Sequence, residues 1–155
     1  MRVRPRPVMF NNPKVIFAFV TILLAALGFV IFDTLQEPNI KVGDAAPDFS
    51  IKAENGKTYT ARDFGGKLLI LNFWATWCPP CISETPRLTQ LQKDLSKDGV
   101  IILGVSVDKN EKAYKQFIQR LKVGFATAHD PEARISASYG TFKFPETYVI
   151  NSQGK

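Results

Sequence analysis

The hydrophobic pattern of the chain changes after its first 32 residues. Residues 15–32 form an uncharged apolar run, which would span about 27 Å as a helix with a rise of about 1.5 Å per residue. That length is close to the hydrocarbon core of a bilayer, which is about 30 Å thick. The run therefore predicts one transmembrane helix, preceded by a basic segment at 1–14 and followed by a linker at 33–40.

From residue 41 onward, short apolar runs alternate with amphipathic or capped stretches. Residues 49–64 carry two alternating segments around Glu54-Asn55-Gly56-Lys57, which predicts an N-terminal β-hairpin with a type I′ turn. Alternation of strands and helices predicts one α/β domain over 41–155, with a mainly parallel central sheet and helices on both faces. The predicted strands are 67–73, 100–107, 125–128 and 146–151, and the predicted helices are 80–97, 110–121 and 131–139, the last beginning at a proline.

The distribution of charge predicts the orientation of the apolar run. Arg2, Arg4, Arg6 and Lys14 precede it, whereas all 14 acidic residues follow it. The positive-inside rule then predicts a cytoplasmic N-terminus and a domain on the periplasmic or extracellular side. The net charge of +6 is mostly a topology signal, and we expect no nucleic-acid partner. A cleaved signal peptide is the alternative, although no convincing small-x-small cleavage site precedes Asp33.

The only two cysteines lie in Trp77-Cys78-Pro79-Pro80-Cys81, between a predicted strand and a predicted helix. Cys78 would lie at the start of that helix, where unpaired N–H groups and the macrodipole stabilise an anion. Such a position can lower the pKa of a cysteine from about 8.5 to about 7 or below. Cys81 would lie on the same helical face, one turn deeper. We therefore expect a redox-active pair in which Cys78 attacks and Cys81 resolves, with no cofactor beyond that pair.

Other uses of the cysteines are less well supported. A closed zinc site needs about four ligands, whereas the chain offers two cysteines and one histidine, His129. A structural disulfide across two residues would close too small a loop to contribute much stability. We expect no metal site, but a copper chaperone that uses Cys78, Cys81 and His129 stays open as a binding-module alternative.

Three motifs resemble the TlpA/ResA-like branch of the thioredoxin superfamily, membrane-anchored bacterial thiol-disulfide oxidoreductases. They are 69–81 around the cysteines, 42–49, which is similar to the redoxin or AhpC/TSA opening, and 144–150. The resemblance covers 41–155 and implies a thioredoxin-like fold. That fold continues with a final antiparallel strand and a closing helix, so the resemblance implies that the domain is C-terminally incomplete and that 146–150 forms an exposed edge strand.

The resemblance also implies roles for individual residues around the cysteines. Trp77, Pro79, Phe144 and Pro145 would form the substrate-facing surface. The bond between Phe144 and Pro145 would be cis, would pack beside the cysteines and would offer backbone groups to a substrate strand. A trans proline at a strand edge is the alternative.

Proton transfer needs a titratable group near the cysteines. Thioredoxin has a buried aspartate at the position of Asn72, and an amide cannot titrate. Glu84 follows Cys81 by three residues on the same helical face, and in the resembled family a glutamate at this position acts as the acid/base. Partial burial would raise its pKa and couple it to the thiols. A solvated surface glutamate is the alternative.

The resemblance implies an enzyme that exchanges disulfides in exported proteins. It favours reduction of substrates such as apocytochromes c or copper-site assembly factors, with a membrane electron donor of the thiol-reducing type as the second partner. A peroxiredoxin-like thiol peroxidase is the enzyme alternative, because the opening at 43–49 is shared with those enzymes. Their pattern Pro-x-x-x-Thr-x-x-Cys fails here, since Ala75 stands at the threonine position.

Overall fold

The computed structural model describes residues 12–34, 40–141 and 143–155. The chain divides into two compact units, Met1–Glu37 and Pro38–Lys155. Residues 1–11 of the predicted basic segment lie outside the described residues. Residues 35–39 of the predicted linker also lie outside them.

The described part of the first unit is one helix, α1, at Pro13–Thr34. Asn12 begins it, because its side-chain oxygen accepts the N–H of Lys14 at 3.1 Å and Pro13 follows at the first helical position. Residues 13–32 are long and apolar enough to cross a membrane, by length and composition only, and a signal sequence passes the same test. The helix predicted over 15–32 is therefore present, and its insertion in a membrane stays a prediction.

The second unit is an α/β domain, as predicted. Its elements are β1 (Ser50–Lys52), β2 (Thr58–Thr60), β3 (Leu68–Trp74), α2 (Pro79–Leu95), a 3₁₀ turn (Ser96–Asp98), β4 (Val100–Ser106), α3 (Glu111–Leu121), β5 (Ala126–His129), α4 (Arg134–Ser138) and β6 (Glu146–Asn151). The main sheet of the described residues has four strands in the order β5-β4-β3-β6. Strands β3, β4 and β5 are parallel to one another, and β6 is antiparallel to β3.

The central strands are continuous apolar runs because both faces of the sheet are covered. One face of β3, with Leu69 and Phe73, packs on the hairpin strands and on Ile135 of α4. The opposite face, with Ile70, packs on three leucines of α2: Leu88, Leu91 and Leu95. This arrangement confirms the prediction of helices on both faces. It also brings the carboxyl ends of β3, β4 and β5 to one edge of the sheet.

The type I′ turn predicted for the hairpin is wrong. That turn needs positive φ at both central residues, but only Gly56 has a positive φ, of 82°. The N–H of Ala53 donates to the carbonyl of Lys57 at 2.9 Å, and the N–H of Gly56 donates to the carbonyl of Ala53 at 2.9 Å. The strands are therefore joined by a three-residue loop with glycine at its last position, where a left-handed residue forms a bulge.

The helix predicted over 131–139 is also wrong in its extent, because α4 comprises only Arg134–Ser138. Ala133 adopts a left-handed conformation with φ of 54°, so the chain cannot be helical from Pro131 onward. The carboxylate of Asp130 accepts the N–H of Ile135 at 2.8 Å. The helix is thus held by an aspartate that precedes it and does not begin at the proline.

Candidate active site

The two cysteines lie where β3 ends and α2 begins. Cys78 is the N-cap of α2, with extended backbone dihedrals, and its sulfur accepts the N–H of Cys81 at 3.3 Å. Pro79 follows at the first helical position, where the missing N–H removes no helical hydrogen bond. The sulfur of Cys78 is therefore placed at the positive end of the helix, where a thiolate is stabilised.

Cys78 and Cys81 form a disulfide, with an S–S distance of 2.07 Å and a Cα–Cα distance of 5.3 Å. The structure therefore represents the oxidised state of the pair. Cys78 is 3% exposed and Cys81 is 0% exposed. Both lie in an apolar cluster that also contains Trp74, Tyr114 and Phe117. The assignment of Cys78 as attacking thiol and Cys81 as resolving thiol stays a prediction.

An aromatic rim lies beside the disulfide. Trp77 is 66% exposed, and its ring meets that of Phe144 edge to face, with centroids 6.0 Å apart. Phe144 is half-buried and packs against the apolar cluster that holds the two cysteines. The bond between Phe144 and Pro145 is cis, so the trans alternative is wrong. The structure thus brings Phe144 to the cluster that holds the disulfide, with Trp77 against its ring. Contact of Trp77, Pro79, Phe144 and Pro145 with a substrate stays a prediction.

A polar cluster connects α2, β3 and β6. The side-chain amide of buried Asn72 donates to a carboxylate oxygen of Glu84 and to the hydroxyl of Thr147, both at 3.0 Å. An amide nitrogen carries two hydrogens, so both bonds form at once. Asn72 therefore fixes the orientation of the Glu84 carboxylate, a function that the sequence did not reveal.

Partial burial raises the pKa of Glu84 above its ordinary value of 4.5, and the hydrogen bond from Asn72 lowers it by less. The net direction is upward, as expected from the sequence. A carboxylate of higher pKa is a better proton acceptor near neutral pH than an exposed glutamate. Participation of Glu84 in the chemistry stays a prediction.

The sequence reasoning missed three residues of the site, Thr76, Asp108 and Thr147. Asp108 is a buried carboxylate that accepts hydrogen bonds from the backbone and the side chain of Thr76. A polar residue directly after a buried parallel strand was the available signal, because functional groups collect at the carboxyl ends of such strands. Thr147 gave no comparable signal.

The residues considered for copper do not form a site. Within the described ranges, no group of three or more His, Cys, Asp or Glu residues could hold a metal ion. His129 instead donates its Nε2 hydrogen to the carbonyl of Asp108 and stacks on the ring of Tyr114, with centroids 4.7 Å apart. The Nε2 nitrogen and the ring face of His129 are therefore engaged inside the fold.

Comparison with known proteins gives the same family in sequence and in structure. The AhpC/TSA family matches residues 42–155. The thiol-disulfide oxidoreductase ResA of Oceanobacillus iheyensis is 37% identical over 140 residues, covering 86% of this chain and 73% of that protein. ResA of Bacillus subtilis is 33% identical over 136 residues, covering 86% of this chain and 76% of that protein.

Solved structures are also similar to this chain. A putative thiol:disulfide interchange protein DsbE from Chlorobium tepidum matches with a TM-score of 0.70 and 29% identity, covering 76% of this chain and 82% of that chain. StoA from Bacillus subtilis matches with a TM-score of 0.63 and 25% identity, covering 71% of this chain and 84% of that chain. With its cysteine pair at the start of a helix, the chain belongs to the AhpC/TSA family and, within it, to the ResA-like thiol-disulfide oxidoreductases of thioredoxin-like fold.

Proposed function

We propose that the protein is a membrane-anchored, extracytoplasmic reductant of disulfides in exported proteins such as apocytochromes c or copper-site assembly factors. The observation that carries the proposal is the Cys78–Cys81 pair at the start of α2, in a chain whose first helix is long enough to cross a membrane. The basic residues before that helix favour a cytoplasmic N-terminus. The catalytic domain would then meet its substrates outside the cytoplasm, where disulfides persist.

The reduction proceeds by two exchange steps. The thiolate of Cys78 attacks one sulfur of a substrate disulfide, forming a mixed disulfide, and the other substrate sulfur leaves as a thiolate that takes up a proton. Cys81 then loses its proton and attacks the sulfur of Cys78, releasing the first substrate sulfur. Two electrons have passed to the substrate, and Cys78 and Cys81 are left as the disulfide. A membrane electron donor that carries a dithiol reduces that disulfide and restores the enzyme.

Glu84 is the group that takes the proton of Cys81 in the second step. It follows Cys81 by one helical turn, so both side chains lie on the same face of α2. Its raised pKa supports proton acceptance near neutral pH. The amide of Asn72 holds the carboxylate at 3.0 Å but cannot itself exchange a proton at these pH values.

The aromatic rim supports a protein substrate. Trp77 exposes a large ring surface beside the disulfide, and Phe144 packs between that ring and the apolar cluster. Exposed aromatic rings supply contact area for an extended apolar chain at low entropic cost. The backbone at Pro145 follows this rim directly, and it would pair with the substrate strand.

The reducing direction predicts a low reduction potential. We expect the Cys78–Cys81 couple to lie below about −200 mV, since thioredoxin has about −270 mV, whereas disulfide isomerase has about −180 mV and DsbA about −120 mV. Equilibration with redox buffers and quantification of the free thiols gives the value. A potential near that of DsbA would make the protein an oxidant and contradict the proposal.

The proposed roles of the two thiols predict different trapping by two variants. Cys81→Ser should accumulate mixed disulfides with exported proteins through Cys78, because nothing resolves them. Cys78→Ser should trap few, since the remaining sulfur is fully buried. Mass spectrometry of alkylated, non-reduced membranes identifies the trapped substrates, with the double serine variant as the control. Equal trapping by both single variants would contradict the assignment of Cys78 as the attacking thiol and Cys81 as the resolving thiol.

The role of Glu84 predicts a change in the pH dependence of the thiols. Glu84→Gln should slow disulfide exchange, because an amide cannot accept the proton of Cys81. It should also move the alkylation curve of Cys78 to lower pH, since removal of a negative charge lowers the thiol pKa. Alkylation rate against pH measures this, and Glu111→Gln, an exposed glutamate in the first turn of α3, is the matched control. Superimposable curves for Glu84→Gln and the parent would exclude Glu84 from the chemistry.

The proposed anchor predicts the fractionation of the protein. The full chain should stay with membranes through a carbonate wash, and its domain should be digested by protease only from the non-cytoplasmic side. A variant that lacks residues 1–37, the first unit, should be released and serves as the control. Recovery of the protein as a soluble exported species that begins after residue 33 would show a cleaved signal.

A further inference from the structure

Asp108 is a buried carboxylate at the end of β4 that contacts the turn before the cysteines. It is 3% exposed, and burial of a charge is costly unless hydrogen bonds satisfy it. Its oxygens accept the N–H of Thr76 at 2.9 Å, the hydroxyl of Thr76 at 2.7 Å and the hydroxyl of Ser106 at 2.6 Å. Within the described ranges Asp108 has no cationic partner. The carboxylate is therefore satisfied mainly by the turn at residues 75–77.

The same turn determines where the Cys78 sulfur lies. The N–H of Cys78 donates to the carbonyl of Ala75 at 3.2 Å, and the N–H of Val107 donates to the carbonyl of Trp74 at 3.0 Å. The backbone pairing of β3 with β4 thus ends just before the turn. The side chain of Asp108 continues that connection by binding Thr76, two residues before Cys78.

The Asp108 carboxylate is itself held in a fixed position by neighbouring residues of the sheet. The N–H of Asp108 donates to the hydroxyl of Ser106 at 3.2 Å, and its carbonyl accepts the Nε2 hydrogen of His129. Residues from β4 and β5 therefore fix the group that binds the turn. A fixed acceptor with two bonds to one residue restrains that residue more than a single flexible contact does.

We propose that Asp108 is a positioning residue for thiol-disulfide exchange. It holds Thr76 so that the sulfur of Cys78 stays at the N-terminus of α2, where it accepts the N–H of Cys81 at 3.3 Å. Stabilisation of an anion by a helix terminus falls off within the first turn, so a displaced sulfur loses thiolate character and nucleophilicity. The proposal rests on the thiol-disulfide activity of the family and holds for either direction of electron flow.

A second buried aspartate provides a matched comparison. Asp130 lies just after β5, and its carboxylate accepts the N–H of Ile135 at 2.8 Å. It therefore holds α4 and not the turn at 75–77. Substitution of either aspartate removes a buried carboxylate from the same edge of the sheet, but only Asp108 contacts Thr76.

The first test changes Thr76 and leaves the charge of Asp108 in place. Thr76→Val removes the hydroxyl that binds the carboxylate at nearly constant volume, and Thr76→Ser keeps it. In the reduced full chain in detergent, Thr76→Val should lower the rate of Cys78 alkylation at neutral pH roughly tenfold, the effect of losing one hydrogen bond to a charged group. Its alkylation midpoint should move to higher pH, whereas Thr76→Ser should match the parent.

The second test asks whether Asp108 and Thr76 act through one contact. Asp108→Asn should slow alkylation of Cys78 and raise its pH midpoint as Thr76→Val does. The double variant should be no slower than the slower single variant, because both substitutions break the same contact. Asp130→Asn should lower the stability to denaturant while leaving the alkylation profile unchanged.

Three results would overturn the proposal. The first is an alkylation profile of Thr76→Val that matches that of the parent. The second is a double variant whose loss of alkylation rate is the sum of the two single losses. The third is a shift of the pH midpoint in Asp130→Asn as large as that in Asp108→Asn. A shift of the midpoint to lower pH in Asp108→Asn would also overturn it, because loss of a negative charge lowers the pKa of a neighbouring thiol without any positional effect. If Asp108→Asn does not fold, the comparison of Thr76→Val with Thr76→Ser decides alone.

Discussion

The start of α2 is the constraint on which the rest of the site depends. Unpaired N–H groups at a helix N-terminus stabilise an anion only within the first turn, so a sulfur that is to be activated by the helix must lie at the cap. Cys78 occupies that cap, and the two prolines that follow leave no helical hydrogen bond unmade. Asp108 binds Thr76 in the turn just before this cap, and Glu84 lies one turn beyond Cys81 on the same helix.

Sheet topology explains why these groups meet. The parallel strands β3, β4 and β5 all end at the same edge, which brings the turn at 75–77, Asp108 and His129 together. Strand β6 runs the opposite way, so its beginning lies at that edge, and Phe144 just before it packs on the cluster that holds the disulfide. One antiparallel strand in a parallel sheet thus begins at the edge of the sheet where the disulfide lies.

The candidate acid/base of the site, Glu84, lies on the helix and not on the central strand. Asn72 occupies the strand position where thioredoxin has an aspartate, and it binds Glu84 of α2 through its amide. The titratable group therefore shares a helix with Cys81, one turn away. An uncharged residue on the strand also adds no further negative charge close to the thiols, where such a charge would disfavour the thiolate.

The sequence by itself determined the order of the elements, the mainly parallel sheet and the placement of the cysteines, because apolar periodicity and helix-start residues are local signals. Local signals failed where backbone conformation is unusual, as in the hairpin loop at Gly56 and at Ala133. Only the tertiary structure joined Asn72 to Thr147, 75 residues away, and Thr76 to Asp108, 32 residues away. Such contacts depend on strand register and on helix packing, which no single stretch of sequence encodes.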